Sequence, residues 1–484
     1  MSDVLAGLKP EKLWKHFGEI LKISRCSGHE KAIGDYILSF AKSKKLSAKK
    51  DAVGNVLVSL PAASGHENAP GVVFQAHQDM VCEKNSDVVF DFSKDAIQPR
   101  QVGGWIQATG TTLGADNGIG ISSCLAVMED ASLVHGPLEF LFTVDEERGL
   151  TGANKIKAGF LKGRMLLNLD SEEEGTFTVG CAGGADSEIT LPLKRKKIAF
   201  KDSYRLKLFG YRGGHSGLDI DQGRGNAIKL LTRLIHMAGK KFRFELIRIE
   251  GGSKRNAIPR EAWADLYING SQAKKMLAFF ESGFAQIKNE FRSVETSAQF
   301  AFEKLGKEKE LPLSAASQTQ LLNLVLGLPH GVLAMHQEIK GLVETSTNLA
   351  IVHCAKNRAR VICSSRSSVA SALGATRHVI KAVADLAGAK AAQPQGYPAW
   401  TPNLDSKLLQ ACKDIYRKEF GLEARVVAVH AGLECGIIGE KFEGMDMISF
   451  GPTMEHPHSP DERVHPGSVE KFWTFLTAVL REFA

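Results

Sequence analysis

Glu146 and Glu147 stand side by side at the end of an apolar run, Leu138 to Val144. Two adjacent carboxylates repel one another unless a cation gathers them. Three further apolar runs stop at an acid or a histidine. Val72 to Ala76 runs into His77-Gln78-Asp79, Met165 to Leu169 runs into Asp170, and Met447 to Phe450 leads through Gly451-Pro452 towards His458. Between the first two lies the polar turn Thr112 to Gly118, carrying Asp116. This set of His, Asp and Glu is what a site for two zinc-like ions requires.

Taken singly, each residue has a plainer reading. His77 with Asp79 two residues on could be a satisfied histidine beside a surface acid, or a ligand histidine whose second nitrogen the aspartate holds. Asp116 in Gly-Ala-Asp-Asn-Gly could be only a turn former. Glu146 could be a strand-end surface acid, Asp170 a capping residue ahead of Ser171-Glu172-Glu173-Glu174, itself read as a solvated run, and His458 a loop residue. All the plain readings would have to hold at once, and that coincidence is improbable.

The elements that must position these residues read as an α/β chain with an insertion. Up to about Cys181, helices alternate with runs of four to seven apolar residues, the pattern of strands covered by helices on both faces. A helix over Ile119 to Met128 follows the Asp116 turn. In such sheets ligands collect beyond the carboxyl ends of the strands, where His77, Glu146, Glu147 and Asp170 all fall. From about Asp186 to Gln395 the pattern becomes α+β. Strands Tyr204 to Phe209, Phe242 to Glu250 and Glu261 to Ile268 surround a helix with Ile228, Leu231, Leu234 and Ile235 on one face. Strands Leu349 to Cys354 and Arg358 to Ser364 and a helix from Ser368 to Ala387 loosely repeat that order, as if in two similar halves. Gly388 to Pro402 reads as the return linker. The expected domains are therefore 1–185, the first part of a catalytic domain; 186–395, an inserted lid or dimerisation domain; and 396–484, its second part. The last holds a helix from Leu404 to Lys418.

Composition excludes other classes. The chain has 484 residues, 43% hydrophobic and 24% charged, with a net charge of +7. These are values of a globular enzyme and not of a nucleic-acid binder. Lys194-Arg195-Lys196-Lys197 reads as a solvated turn. No apolar stretch approaches the length of a bilayer span. The N-terminus, with Leu5, Leu8, Leu13 and Phe17, reads as an amphipathic helix and not as a signal peptide. The eight cysteines form no CxxC pair and are read as reduced thiols.

Gln75 to Val81, Gly114 to Gly118, Thr143 to Glu147, Leu169 to Glu172 and Pro457 to Glu462 resemble the motifs of the aminoacylase/carnosinase clan of dinuclear zinc peptidases. Within that clan the chain most resembles the bacterial cytosolic aminoacyl-histidine dipeptidases, in order and spacing over essentially its whole length. The resemblance implies a catalytic domain with a mixed, helix-covered sheet of the phosphorylase/hydrolase-like kind, interrupted by the α+β lid. It also assigns roles. Asp116 would bridge two metal ions, and its bond to Asn117 would be cis. His77 and Asp170 would complete one ion's shell, and Glu147 and His458 the other's. Asp79 would orient His77, and Glu146 would be the general base, taking a proton from water held between the ions. His215, in Gly213 to Gly217, is the candidate donor to the oxyanion, reaching the site from the inserted domain, often that of a partner subunit. Arg255, Asn256 and Arg366 are candidate anchors for a substrate carboxylate, and His430 and Glu434 candidate pocket residues.

The favoured reading is a cytoplasmic, homodimeric metallodipeptidase acting on unblocked dipeptides, notably aminoacyl-histidine. Its cofactors would be two divalent ions, Zn2+ first, with Co2+ or Mn2+ equally suited to the ligand types. Neither nucleic acid nor membrane is an expected partner. An N-acyl-amino-acid amidohydrolase of the same clan is the nearest rival. A catalytically dead binding relative is a third reading, disfavoured because the base and all five ligands are present.

Overall fold

A computed structural model describes residues 3–306, 308 and 310–484. Its backbone divides into two compact units, Met1–Cys181 with Trp400–Ala428 and Leu433–Ala484, and Ala182–Ala399 with Val429–Gly432.

The first unit is built on a mixed eight-stranded sheet. Its order is Ser47–Lys50, Val56–Leu60, Leu138–Thr143, Val72–His77, Met165–Asn168, Asp446–Ser449, Thr176–Cys181, Arg425–Val429. The strand Val72–His77 is buried along its whole length and runs parallel to both Leu138–Thr143 and Met165–Asn168. Continuous apolar sequence is the requirement for a strand covered on both faces. Phe74 stacks on Phe140 across this pair with centroids 5.1 Å apart, and burying each ring contributes roughly 1.5–3 kcal/mol. Helices Glu11–Ile20, Ala115–Glu129 and Pro466–Glu482 bring Trp14, Phe17, Ile119, Phe472 and Phe475 into the same core.

The second unit has an antiparallel sheet of nine strands among the described residues. Eight lie in the order Gln299–Lys304, Asp202–Phe209, Ala262–Ile268, Phe244–Gly251, Val343–Cys354, Arg358–Ser367, Gly183–Pro192, Lys390–Ala392, and Gly331–Met335 pairs with Val343–Cys354. The helix Ala227–Gly239 buries Ile228, Leu231, Leu234 and Ile235 as its spacing predicts, and Asn226 caps it by accepting from the N–H of Ile228 and Lys229. The two expected halves join in one continuous sheet through the pairs Glu250↔His353 and Gly251↔Val352.

The mixed α/β class is as expected, and several local readings are corrected. The N-terminal helix begins only at Glu11, after a short turn at Asp3–Leu5, so Leu8 lies outside it. Pro10 at the cap keeps the preceding residue out of helical conformation. The presumed linker contains the strand Lys390–Ala392, paired with Gly183–Pro192. Within the basic run, Arg195 is not solvated: its guanidinium donates to the carbonyls of Ile247, Ala355 and Lys356 and pairs with Glu310 at 2.5 Å. The cysteines are not all thiols. Cys26 and Cys82 form a disulfide, and the other six are free and buried. Their separation of 56 residues carries no sequence signature. The backbone bridge between Cys26 and Met80 is what brings the two side chains together.

Candidate metal centre

Four of the predicted residues are placed by the carboxyl ends of adjacent parallel strands. His77 is the last residue of Val72–His77, Asp170 follows Met165–Asn168 by two, and Glu146 and Glu147 open a short helix after Leu138–Thr143. Asp116 comes from the start of the helix Ala115–Glu129, where Asp116 and Asn117 depart from helical dihedrals and their peptide bond is cis, as anticipated. His458 comes from the loop between the short strands Met454–Glu455 and Arg463–Val464.

These side chains converge as two groups sharing Asp116. His77 Nε2 lies 2.9 Å from Asp116 Oδ1 and 3.2 Å from Asp170 Oδ1. His458 Nε2 lies 3.3 Å from Asp116 Oδ2 and 2.9 Å from Glu147 Oε2. Ligands held tetrahedrally at zinc distances sit about 3.3 Å from one another, so both groups have donor separations that suit an ion. An imidazolium bonded to carboxylates would give similar distances. The charge balance favours an ion. Asp116, Asp170, Glu146, Glu147 and Glu172 crowd a space with the buried Arg25 as a nearby fixed cation, and Glu147 Oε1 is buried without a hydrogen-bond partner among the described residues. Acids so gathered need more positive charge than the protein supplies.

The proton affinities say the same. Burial raises Asp170 to about 6, against the pull of His77, and with Asp116 and Glu147 adding to the rise. Burial likewise holds Glu146 well above the usual carboxylate range, and Glu172 at about 8 beside Asp116 and Asp170. Burial would lower His77, but Asp170 and Asp116 outweigh it and hold it well above an ordinary histidine. Hydrogen bonds to Asp116 and Glu147 lift His458 to about 11. Without metal, protons take the place that cations would fill.

Asp79 is buried beside His77, with its Oδ1 3.4 Å from Nδ1. Its carboxylate also accepts from the backbone N–H of Glu146 at 3.0 Å and of Glu147 at 3.3 Å, so one acid faces the histidine and the turn carrying both glutamates. Asp145 and His458 both adopt left-handed backbone, a costly conformation that surrounding structure must impose. Glu434 is buried beside the centre, where Oε2 accepts from Gln75 Nε2 and Thr143 Oγ1, each at 2.6 Å. Burial pushes it up to about 7.

The remaining predicted residues belong to the second unit. His215 Nδ1 accepts from the N–H of Gly217 at 3.2 Å and of Leu218 at 3.1 Å. The ring proton must then sit on Nε2, and burial with Arg366 nearby lowers its basicity. Arg366 is buried on the strand Arg358–Ser367 and donates to Tyr397 Oη at 2.7 Å. His430 Nε2 lies 2.7 Å from Ser346 Oγ. A side chain at Gly217 would meet the His430 carbonyl, the His215 ring and Arg366, so only glycine lets these three approach. Arg255, by contrast, is exposed and paired with Asp186 at 2.7 Å. Asn256 is also exposed, and its backbone carbonyl accepts from the N–H of Ser216 at 2.9 Å.

Four residues at the centre carry no role in the sequence reading. Glu172, expected in a solvated run, is instead half-buried against Asp116 and Asp170. Asn117 donates to the Leu169 carbonyl at 2.8 Å and to Asp170 Oδ1, tying two ligand segments together. Arg25, 2% exposed, donates to the carbonyls of Asp79 at 2.6 Å and of Gly114. Glu462 binds the Asp116 turn. Glu172, Asn117 and Glu462 lie within segments that also carry ligands, and that neighbourhood is their signal. Arg25 has none.

Comparison with known proteins gives the family and the fold. The model of peptidase family M20/M25/M40 matches residues 73–482. The chain is 40% identical to the cytosol non-specific dipeptidase of Escherichia coli, over 99% of each chain. Its structure is similar to that of aminoacylhistidine dipeptidase from Vibrio alginolyticus, with a TM-score of 0.91 and 41% identity over 99% of this chain and 98% of the other. Aminopeptidase PepT from Bacillus cereus shares the fold at 15% identity, with a TM-score of 0.57 over 98% and 99% of the two chains.

Proposed function

The chain belongs to peptidase family M20/M25/M40, and we propose that it is a cytoplasmic dipeptidase dependent on two divalent metal ions, with zinc the foremost candidate. The observation that carries this reading is the sharing of Asp116 between the His77–Asp170 and Glu147–His458 groups, in a chain related over its full length to dipeptidases. His77, Asp116 and Asp170 would hold one ion, and Asp116, Glu147 and His458 the other. When bound, the ions supply an acidified water and polarise the scissile carbonyl.

The chain's own side chains do the rest. Asp79 fixes the His77 ring and the amides of Glu146 and Glu147. Glu146 takes the proton of the attacking water on its carboxylate and returns it to the leaving amine. Its raised proton affinity suits that task, because a base must hold the proton between the two steps. His215, with its proton on Nε2, is a donor and not a base, the property that an oxyanion requires. Arg366, His430, Arg255 and Asn256 are the proposed contacts to the substrate's carboxylate end and side chain, with Glu434 beside the metal ligands. The second unit is proposed as the lid and dimerisation domain of a homodimer. Substrates are unblocked dipeptides, aminoacyl-histidine among them. The deacylase reading is not favoured, since the two relatives at 40% and 41% identity over 99% of this chain are named as dipeptidases.

The test is a hydrolysis panel on zinc-loaded protein with a chelated control. It compares β-alanyl-histidine, α-aminoacyl-histidines, other dipeptides, tripeptides and N-acetyl amino acids. Chelator-sensitive cleavage confined to unblocked dipeptides is the expected result. Cleavage of N-acetyl amino acids would transfer the assignment to a deacylase, and no cleavage with metal bound would leave a binding protein.

A further inference from the structure

The turn from Leu113 to Asn117 cannot satisfy its own backbone. Gly114 is left-handed, and Asp116 and Asn117 are non-helical, so the first amides of the helix Ala115–Glu129 point away without a cap from the turn itself. Glu462 meets four amides of the turn, two before the helix and two in its first turn. Its Oε2 accepts from the N–H of Leu113 and of Gly114, each at 2.8 Å, and its Oε1 from Ala115 at 2.7 Å and Asp116 at 3.2 Å. Glu462 is 2% exposed, and Arg25, itself buried, closes the turn from the other side by donating to the Gly114 carbonyl.

Two features make this more than a helix cap. The clamped amides include that of Asp116, whose two oxygens face different histidines. The clamp also comes from the segment that supplies His458, four residues earlier. One stretch of chain therefore provides a side chain of one metal group and holds the backbone that aims the shared carboxylate.

We infer that Glu462 is a positioning residue for the metal centre, fixing through four backbone hydrogen bonds the turn that directs Asp116 between His77 and His458. The inference rests on the proposed role of Asp116 as the ligand common to both ions. Both carboxylate oxygens are needed. A glutamine at this position keeps one acceptor but turns an NH2 group towards two of the four amides.

The experiment uses the full chain and zinc titrated against a competing chelator, with Glu462→Gln, Glu462→Asp and Asp116→Ala compared in parallel. Glu462→Gln is expected to fold, to bind zinc roughly ten- to hundredfold more weakly, and to lose kcat for a dipeptide with KM changed less than about threefold. Its cobalt-loaded form should show an altered visible spectrum, because the ligand geometry has moved. Glu462→Asp keeps the charge and should fall between Glu462→Gln and the parent chain. Zinc affinity, spectrum and kcat all like the parent's in Glu462→Gln would overturn the inference. So would failure of both Glu462 variants to fold while Asp116→Ala folds, which would make Glu462 a residue of the fold alone. If Asp116→Ala keeps both ions at parental affinity, it is the ligand reading that falls.

Discussion

Asp79 and Glu146 differ by what surrounds them, not by chemistry. Asp79 sits at about 2, with burial opposing and His77, Ser27 and the Glu146 amide favouring its charge, so it stays an anion. Glu146 is held well above the carboxylate range by burial, so it can accept and keep a proton. Glu146→Gln should therefore retain two zinc ions by elemental analysis while kcat falls roughly 10³-fold; a variant within tenfold of the parent would remove Glu146 from the base role. His458 gives a second prediction. In the metal-free protein it lies at about 11, well above the ordinary 6.5. A raised value means that its contribution to stability is fully present below pH 6.5 and is lost as pH rises towards 11. The metal-free protein should thus become easier to unfold across the alkaline range. Zinc displaces the same proton, so calorimetry at about pH 7.5 in buffers of different ionisation enthalpy should register proton release on zinc uptake. Uptake without protons would contradict the charge state drawn for the metal-free ligand set.

The strands that carry His77, Glu146 and Asp170 were legible because an apolar run ending at an acid is a local pattern. The contacts that hold the turns were not. Arg25, Glu462 and Asn117 act through backbone carbonyls and amides far away in sequence, and no spacing rule reports such a bond. The Cys26–Cys82 disulfide was invisible for the same reason. By loop length it stabilises the fold by at most about 4 kcal/mol, and the midpoint of urea unfolding should drop in a Cys26→Ser/Cys82→Ser variant. The cap of the helix Ala227–Gly239 should be pH-sensitive. Asn226 Nδ2 lies 3.3 Å from His330 Nδ1, and burial, with Lys229 nearby, lowers His330 to about 4. A protonated ring has no lone pair to accept that bond. Because the folded value is depressed, this stability is present above pH 6.5 and is lost as pH falls towards 4. His330→Gln should flatten the decline in melting temperature between pH 6.5 and 4, and an unchanged slope would place the sensitivity elsewhere.

At the scale of the whole chain, each unit has its own hydrophobic core, one around Phe74, Phe140 and Phe177 and the other around Leu231, Ile249 and Phe280. The five proposed ligands all lie in the first unit, although the whole insertion separates His458 from the other four in sequence. Composition and periodicity revealed that insertion, because alternation of apolar residues replaces continuous apolar runs. They could not reveal that the inserted strands join into one sheet, since strand pairing over long separations leaves no mark on either segment alone. The placement of the ligands makes the effect of metal removal local. Zinc at about a thousand times its dissociation constant stabilises the folded form that binds it by about 4 kcal/mol, and that energy enters only where ligands are fixed. Chelation should therefore speed amide hydrogen exchange around Asp79, the Leu113 to Asn117 turn, Glu146 and Glu147, and the segment from His458 to Glu462. Exchange in the helices Ala227–Gly239 and Ala273–Glu290 should stay as it was. Equal acceleration in both units would mean that metal holds the whole chain together, and the centre would then be as much a structural clamp as a catalytic one.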